Sequence, residues 1–221
     1  CFVIITPHQE PAERYLAAVH REMGLVAERM GARRPVRQYH LGGGTPNFIS
    51  EAAMEGLLAQ ARTLFRFEEG AELSIETDPR HLSPGRLRHL RGLGFNRLSF
   101  GIQDFDDTVQ RGVNRVEPYA HVAHLVETAR TLGFRGINFD LIYGLPHQTR
   151  QRFQATVERV LTLAPDRLAL YNFAYLPQAF PHQRKMDAQA LPGAEEKLAI
   201  FLTARELFTG NGYQAIGLDH F

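Results

Sequence analysis

Three glycines and a threonine, Gly42-Gly43-Gly44-Thr45, follow the run Tyr39-His40-Leu41. Without Cβ atoms, glycines let the backbone approach a ligand closely and leave N–H and C=O groups open to bond it. The segment lacks the Gly-Lys-Ser/Thr ending of a phosphate loop and the Gly-x-Gly-x-x-Gly spacing of a dinucleotide crossover. Its competing role is a tight strand-to-helix turn. Glu76 closes Leu73-Ser74-Ile75. Its carboxylate could accept two ribose hydroxyls or bond an ammonium, or it could cap the next helix. Gln103 and Asp104 close Leu98–Ile102 and offer amide donor and acceptor groups. Asp140 sits inside the apolar run from Ile137 to Leu145, where a carboxylate is costly unless paired or ligand-bound. Arg115 follows Gln103 closely enough to reach the same rim over a short turn. There its guanidinium could grip a ligand carboxylate bidentately; the alternative is an ordinary solvated arginine.

These polar ends, with Asn172 after Leu168–Tyr171, recur at intervals of roughly thirty residues, the length of one strand–helix unit. The pattern predicts repeated strand–helix units whose strand carboxyl ends share one rim of a barrel. Helices are expected from Pro11 to Met30, Ser50 to Phe65, Ser83 to Gly92 or Gly94, Thr108 to Arg111, Pro118 to Leu132, Thr149 to Leu163 and Pro192 to Thr209. Ser50 and Thr149 are placed as N-caps, Pro84 suits a first helical position, and Gly133 is placed as a stop. Strands are expected at Arg37–Leu41, Ala71–Glu76, Asn96–Gly101, Arg135–Leu141, Arg167–Tyr171 and Gly212–Gly217. A long irregular segment, Asn172 to Leu191, carries the basic group His182, Arg184 and Lys185. Long loops in compact domains tend to be functional, the alternative being a surface excursion.

The 221 residues, 44% hydrophobic, suffice for one large α/β domain and not comfortably for two. With 25 basic and 24 acidic residues, bulk charge argues against a nucleic-acid surface. No run approaches the roughly 18 apolar residues of a membrane span. One cysteine, Cys1, excludes an internal disulfide framework and fits a reducing, cytoplasmic setting. Ten histidines show no zinc-helix spacing. A start at Cys1 and a stop at Phe221 predict a piece of a longer protein, one domain over 1–221 truncated at both ends. As a carboxylate pair, Glu76 and Asp140 would suit glycosidase chemistry, although the chain has no tryptophan for a sugar platform.

Several segments together resemble the oxygen-independent coproporphyrinogen III oxidase family of radical S-adenosylmethionine enzymes. They are Leu41-Gly-Gly-Gly-Thr-Pro46, Ser74-Ile-Glu-Thr-Asp-Pro79, Gly94-Phe-Asn-Arg-Leu-Ser99, Gly101-Ile-Gln-Asp-Phe105, Val113-Asn-Arg115, Asn138-Phe-Asp-Leu-Ile-Tyr-Gly-Leu-Pro146 and Tyr171-Asn-Phe-Ala174. The Gly-Gly-Gly-Thr-Pro and Tyr-Gly-Leu-Pro pieces also occur in a related haem chaperone family. Gln-Asp-Phe with Val-Asn-Arg, and Pro177 to Met186, look more like the oxidase. The resemblance implies an α/β fold, an incomplete parallel (β/α) barrel, with a C-terminal helical domain outside this chain. It implies that Gly43, Gly44 and Thr45 contact the methionine parts of two S-adenosylmethionine molecules. Glu76, Gln103, Arg115, Asp140 and Ala174 would hold ribose, carboxylate and adenine portions. It further implies a [4Fe-4S] cluster, a porphyrinogen substrate, a low-potential donor such as flavodoxin or ferredoxin, and a monomer. The implied activity is oxidative decarboxylation of two propionates of coproporphyrinogen III to vinyl groups through a 5′-deoxyadenosyl radical. A haem chaperone that binds without decarboxylating is the alternative. The family holds its cluster on Cys-x-x-x-Cys-x-x-Cys. Here Cys1-Phe2 resembles the middle cysteine and its aromatic neighbour, so Cys1 is the one expected metal ligand; the third cysteine would fall between Phe2 and Val3, and the first before residue 1. Three thiolates leave one iron open, and one thiolate cannot.

Overall fold

Helix α1 (Glu10–Met30), strand β1 (Pro35–Leu41), α2 (Glu51–Leu64), β2 (Arg66–Thr77), α3 (Pro84–Leu93), β3 (Arg97–Gln103), α4 (Asp107–Gly112), α5 (Tyr119–Thr131), β4 (Gly136–Tyr143), α6 (Arg150–Leu163), β5 (Arg167–Asn172) and α7 (Ala194–Gly210) follow one another in a computed structural model. It describes residues 8–31 and 33–221. The sheet order is β1-β2-β3-β4-β5, with β1–β2 and β4–β5 parallel. Consecutive strands joined by helices in this order make the expected incomplete (β/α) barrel. Among the described residues no helix is long and apolar enough to cross a membrane.

The chain divides into two units. One runs to Leu98 and takes in Thr128–Arg135. Here α2 buries Met54, Leu57, Leu58 and Ala61, the three- and four-residue steps of one helical face. Ser50 caps it by accepting from Ala53 N at 3.2 Å. Ser83 caps α3 in the same way through Arg86 N. Tyr39 packs against Phe67 and Phe95, at ring separations of 5.7 and 6.3 Å, and burial pushes its hydroxyl pKa up to about 12. Strand β2 begins five residues earlier than expected, at Arg66 rather than Ala71. Its polar start reads as loop, yet Arg66 and Phe67 pair with Pro35 and Val36, and an irregularity before Gln38–Glu72 absorbs the extra residues.

The second unit comprises Ser99–Glu127 and Gly136–Phe221. Alternation along its strands puts Phe100, Ile102, Phe139 and Leu141 into the core. Phe100 and Phe139 meet edge-to-face at 5.9 Å. The opposite pleat face leaves Ser99, Gly101, Gln103, Asn138 and Asp140 partly accessible. Helices α6 and α7 contribute Phe153, Val157, Val160, Ile200, Ala204 and Phe208.

The expected final strand, Gly212–Gly217, does not form. Residues after α7 make only isolated antiparallel bridges, Ile216–His220 and Ala169–His220. Tyr213 turns back instead, its N–H on Phe208 O at 3.1 Å and its hydroxyl donating to Pro165 O at 2.6 Å. Gly212 and Gly217 both hold positive φ, which an extended strand does not use.

Candidate functional site

In the first unit the site is built around a loop that leaves β1. Gly43 and Gly44 take φ of 78° and 63°, backbone that suits glycine, and both are exposed. Gly43 donates its N–H to Glu76 Oε2 at 2.9 Å. A Cβ at Gly42 would lie 2.5 Å from His40 Nε2 and 2.7 Å from Glu76 Oε1, so this position admits no side chain without displacing both groups. Thr45 stands next in the loop, and its carbonyl accepts from Phe48 N at 2.9 Å. Asn47, buried, clamps the loop to the segment after β2: it donates to Asp78 O and accepts from Asp78 N, both at 3.0 Å. Glu76 itself lies one residue before the end of β2.

His40 joins this cluster, and nothing in the sequence singled it out. Its Nε2 is 3.4 Å from Glu76 Oε1 and its Nδ1 is 2.8 Å from Ser74 Oγ. With Ser74 donating to Nδ1, the other nitrogen is the N–H that points at the carboxylate. His40, Ser74 and Glu76 fall on alternate positions of two paired strands, with His40 in register with Ser74. That period-two spacing was a usable signal.

In the second unit, Gln103 ends β3 with φ of 67°, a left-handed conformation uncommon outside glycine. Asp140 is not at a strand end as the sequence suggests. It is the fifth of eight residues in β4, on the accessible pleat face. Ser99 Oγ donates to its Oδ2 at 2.9 Å and Asn138 Nδ2 to its Oδ1 at 2.8 Å. Those two polar neighbours meet the cost of placing a carboxylate in an apolar strand. Arg115 reaches back to β3, donating from Nη2 to Gly101 O at 2.9 Å. The turn that allows this is held by Gln110, whose amide donates to Asp104 O and Glu117 O and accepts from Glu117 N. Ala174 is exposed just beyond β5, its carbonyl accepting from Gln183 Nε2 at 3.0 Å.

Asp104, read with Gln103 as a rim group, is instead 1% exposed. Its carboxylate accepts from Thr156 Oγ1 at 2.5 Å, Gln148 Nε2 at 2.6 Å and Asp106 N at 2.7 Å. Burial pushes its pKa up, against the opposing pull of those three hydrogen bonds. Gln148 carries the network on, its Oε1 taking the N–H groups of Gly144 and Leu145 at 2.6 and 2.9 Å. Asp104 thus fixes the loop after β4 and offers no group to a ligand. Buried glutamines such as Gln110, Gln148 and Gln183 left no mark in the sequence, because a glutamine in a loop reads as solvated until its partners are known.

The first-unit residues suit a zwitterionic or ribose-bearing ligand. An exposed glycine loop offers close backbone approach, and beside it is a carboxylate with spare acceptor capacity. They fit the methionine or ribose end of S-adenosylmethionine. The cluster differs. Cys1, the one thiol in the sequence, lies outside the described residues. One thiol is fewer than the three that the resemblance implies, and among the described residues no group of three or more His, Cys, Asp or Glu could hold a metal ion. These residues alone do not make up the cluster's donor set.

A Radical SAM superfamily model matches residues 7–160. The oxygen-independent coproporphyrinogen III oxidases of Synechocystis sp. and of Escherichia coli K12 are each 45% identical over 221 residues. The matches take in all of this chain but 47% and 48% of those proteins. The solved coproporphyrinogen III oxidase of Escherichia coli, described as a radical SAM enzyme, superposes with a TM-score of 0.94 at 44% identity, over 99% of this chain and 50% of that one. At 14% identity, Elp3 of Methanocaldococcus infernus shares the fold alone, with a TM-score of 0.63. The chain thus spans about half the length of the relatives it matches. The family implies a [4Fe-4S] cluster and S-adenosylmethionine as cofactors, and the matched segment holds the glycine loop, Glu76, Gln103, Arg115 and Asp140: the chain belongs to the radical SAM superfamily.

Proposed function

We propose that this chain is the S-adenosylmethionine-binding part of an oxygen-independent coproporphyrinogen III oxidase, which converts two propionates of coproporphyrinogen III to vinyl groups. The observation that carries the reading is 45% identity across every residue of the chain to relatives bearing that name. It favours the oxidase over the haem chaperone. Superfamily membership replaces the hydrolase built on Glu76 and Asp140.

When bound, the cofactors supply the radical chemistry that removes hydrogen from a propionate and releases carbon dioxide. The chain's own residues bind and orient. Gly43, Gly44 and Thr45 take the methionine parts of two S-adenosylmethionine molecules, with Glu76, held by Gly43 N–H, accepting ammonium or hydroxyl donors. In the second unit, Gln103, Arg115, Asp140 and Ala174 hold ribose, carboxylate and adenine portions of S-adenosylmethionine. Arg115, held toward β3 by its hydrogen bond to Gly101 O, is the cation that pairs a ligand carboxylate. Cys1 takes its place in the cluster's thiolate set. The enzyme is a cytoplasmic monomer fed by a low-potential donor such as flavodoxin or ferredoxin.

The test is anaerobic incubation of the full-length, cluster-reconstituted protein with coproporphyrinogen III, S-adenosylmethionine and a reductant, with mass spectrometry of the products. Protoporphyrinogen IX and 5′-deoxyadenosine appearing together support the reading. Stoichiometric haem binding with neither product overturns it.

A further inference from the structure

The basic group His182, Arg184 and Lys185 is not among the residues assigned to S-adenosylmethionine above. It lies in the second unit, on a turn (Pro181–Lys185) in the long segment after β5. This segment is built onto the strand ends. It leaves β5 with Phe173 N–H on Tyr143 O at 2.8 Å, and Lys197 Nζ donates to Phe173 O at 3.1 Å. It closes with Ala190 O accepting from His147 N at 2.7 Å. In the middle of the basic turn, Gln183 is 6% exposed. Its amide accepts from Leu176 N at 2.5 Å and donates to Ala174 O at 3.0 Å, which pins the turn to the first residues beyond β5.

A turn fixed in this way presents its charges in a set place. Arg184 donates from Nε to Pro177 O at 2.9 Å, which orients the guanidinium and leaves its other donors to the outside. His182, Arg184 and Lys185 are all exposed. Neither Arg184 nor Lys185 forms an ion pair among the described residues. The segment's one acid, Asp187, is occupied in capping Gln189 N at 2.9 Å. Beside the cations stands apolar surface: Leu176, 49% exposed, and Phe180, whose ring lies 6.0 Å from that of His182.

Unpaired cations next to exposed Leu176 and partly exposed Phe180, on a loop anchored at the strand ends, form a surface for an apolar macrocycle edged with carboxylates. We propose that Arg184 and Lys185 bind propionate groups of the porphyrinogen, with Leu176 and Phe180 against its macrocycle. This rests on the oxidase reading above, whose substrate carries four propionates. Each cation supplies a charge-assisted hydrogen bond to a carboxylate, and the pinned turn reduces the ordering cost of making it.

The probe is coproporphyrin III, the stable oxidised tetracarboxylate, titrated by fluorescence into the full-length reconstituted protein. Arg184→Gln/Lys185→Gln is expected to raise its Kd about tenfold, the size of two partly exposed charge pairs, and to weaken its dependence on salt. Affinity for S-adenosylmethionine is expected to stay unchanged. Arg184→Lys/Lys185→Arg keeps both charges and is expected to recover most of the binding, which a folding defect would not allow. An unchanged Kd in the double glutamine variant makes the turn a solvated surface and overturns the inference, while product formation by the wild type leaves the oxidase reading standing. An equal loss of S-adenosylmethionine binding also overturns it. Absence of vinyl product from the wild type removes the reading itself, and this inference with it.

Discussion

Two carboxylates, one in each unit, do opposite work. Glu76 has a side chain 41% exposed and is held by a single backbone N–H at 2.9 Å, with His40 at 3.4 Å. Asp104 is 1% exposed and takes three short hydrogen bonds. A carboxylate saturated by the protein has nothing left for a ligand, and its donors would be orphaned if it were lost. One that is oriented but unsaturated gives up little when replaced, yet is ready to bind. Asp140 falls between them, half-buried and already bonded to Ser99 and Asn138.

The contrast breaks first at Asp104. Asp104→Ala leaves the donors of Gln148, Thr156 and Asp106 unpaired and should cost about 3 kcal/mol, read as a lower midpoint in chemical denaturation. Asp140→Ala should lower S-adenosylmethionine affinity about thirtyfold, since hydrogen bonds to a charged group contribute roughly 1.5–3 kcal/mol, while the fold persists by circular dichroism. Calorimetric titration that finds unchanged affinity would remove Asp140 from the binding site. Gly42→Ala places a methyl group against His40 and Glu76 and should reduce the same affinity about tenfold, with a change in stability below roughly 1 kcal/mol.

A smaller effect separates Asp104 from Asp106, two positions on. Burial pushes the Asp106 carboxyl up, but the backbone N–H groups of Val109 and Thr108 and the Arg152 guanidinium outweigh it and hold the pKa below the usual range. The stability Asp106 contributes is therefore present above the unfolded carboxylate pKa and lost as pH falls through its lower folded value. Asp104, with its pKa raised, works in the other direction: its charged form becomes a burden as pH rises through the folded value. Asp106→Asn keeps an N-cap and removes the charge. It should lose about 1 kcal/mol at neutral pH and flatten the acid limb of the stability curve, as denaturation midpoints between pH 3 and 7 would show. The smallest effect is expected for His40→Ala, about threefold in S-adenosylmethionine affinity, because only a long contact orients Glu76 from that side.

Much of this was legible in the chain itself. The strand–helix alternation, the caps at Ser50 and Thr149 and the glycine loop depend on local propensity and local hydrogen bonds, so their residues announce them. Glu76 and Gln103 stood out because a polar residue ending an apolar run is conspicuous. The early start of β2 and the failed strand at Gly212–Gly217 were not legible. The first depends on a partner strand, and the second on where Tyr213 finds an acceptor.

The roles of the polar groups belong to the same division. Sequence determined that Asp140 lies within an apolar run and that Gln103 and Asp104 close another. It could not distribute them between ligand and scaffold, since an isolated carboxylate or amide has the same capacity in either role. Tertiary structure decided that by bringing Thr156 and Gln148 onto Asp104 from more than forty positions away in sequence, and by leaving Glu76 open beside Gly43. Burial and hydrogen-bond saturation are properties of an assembled neighbourhood, and only the assembled fold carries them.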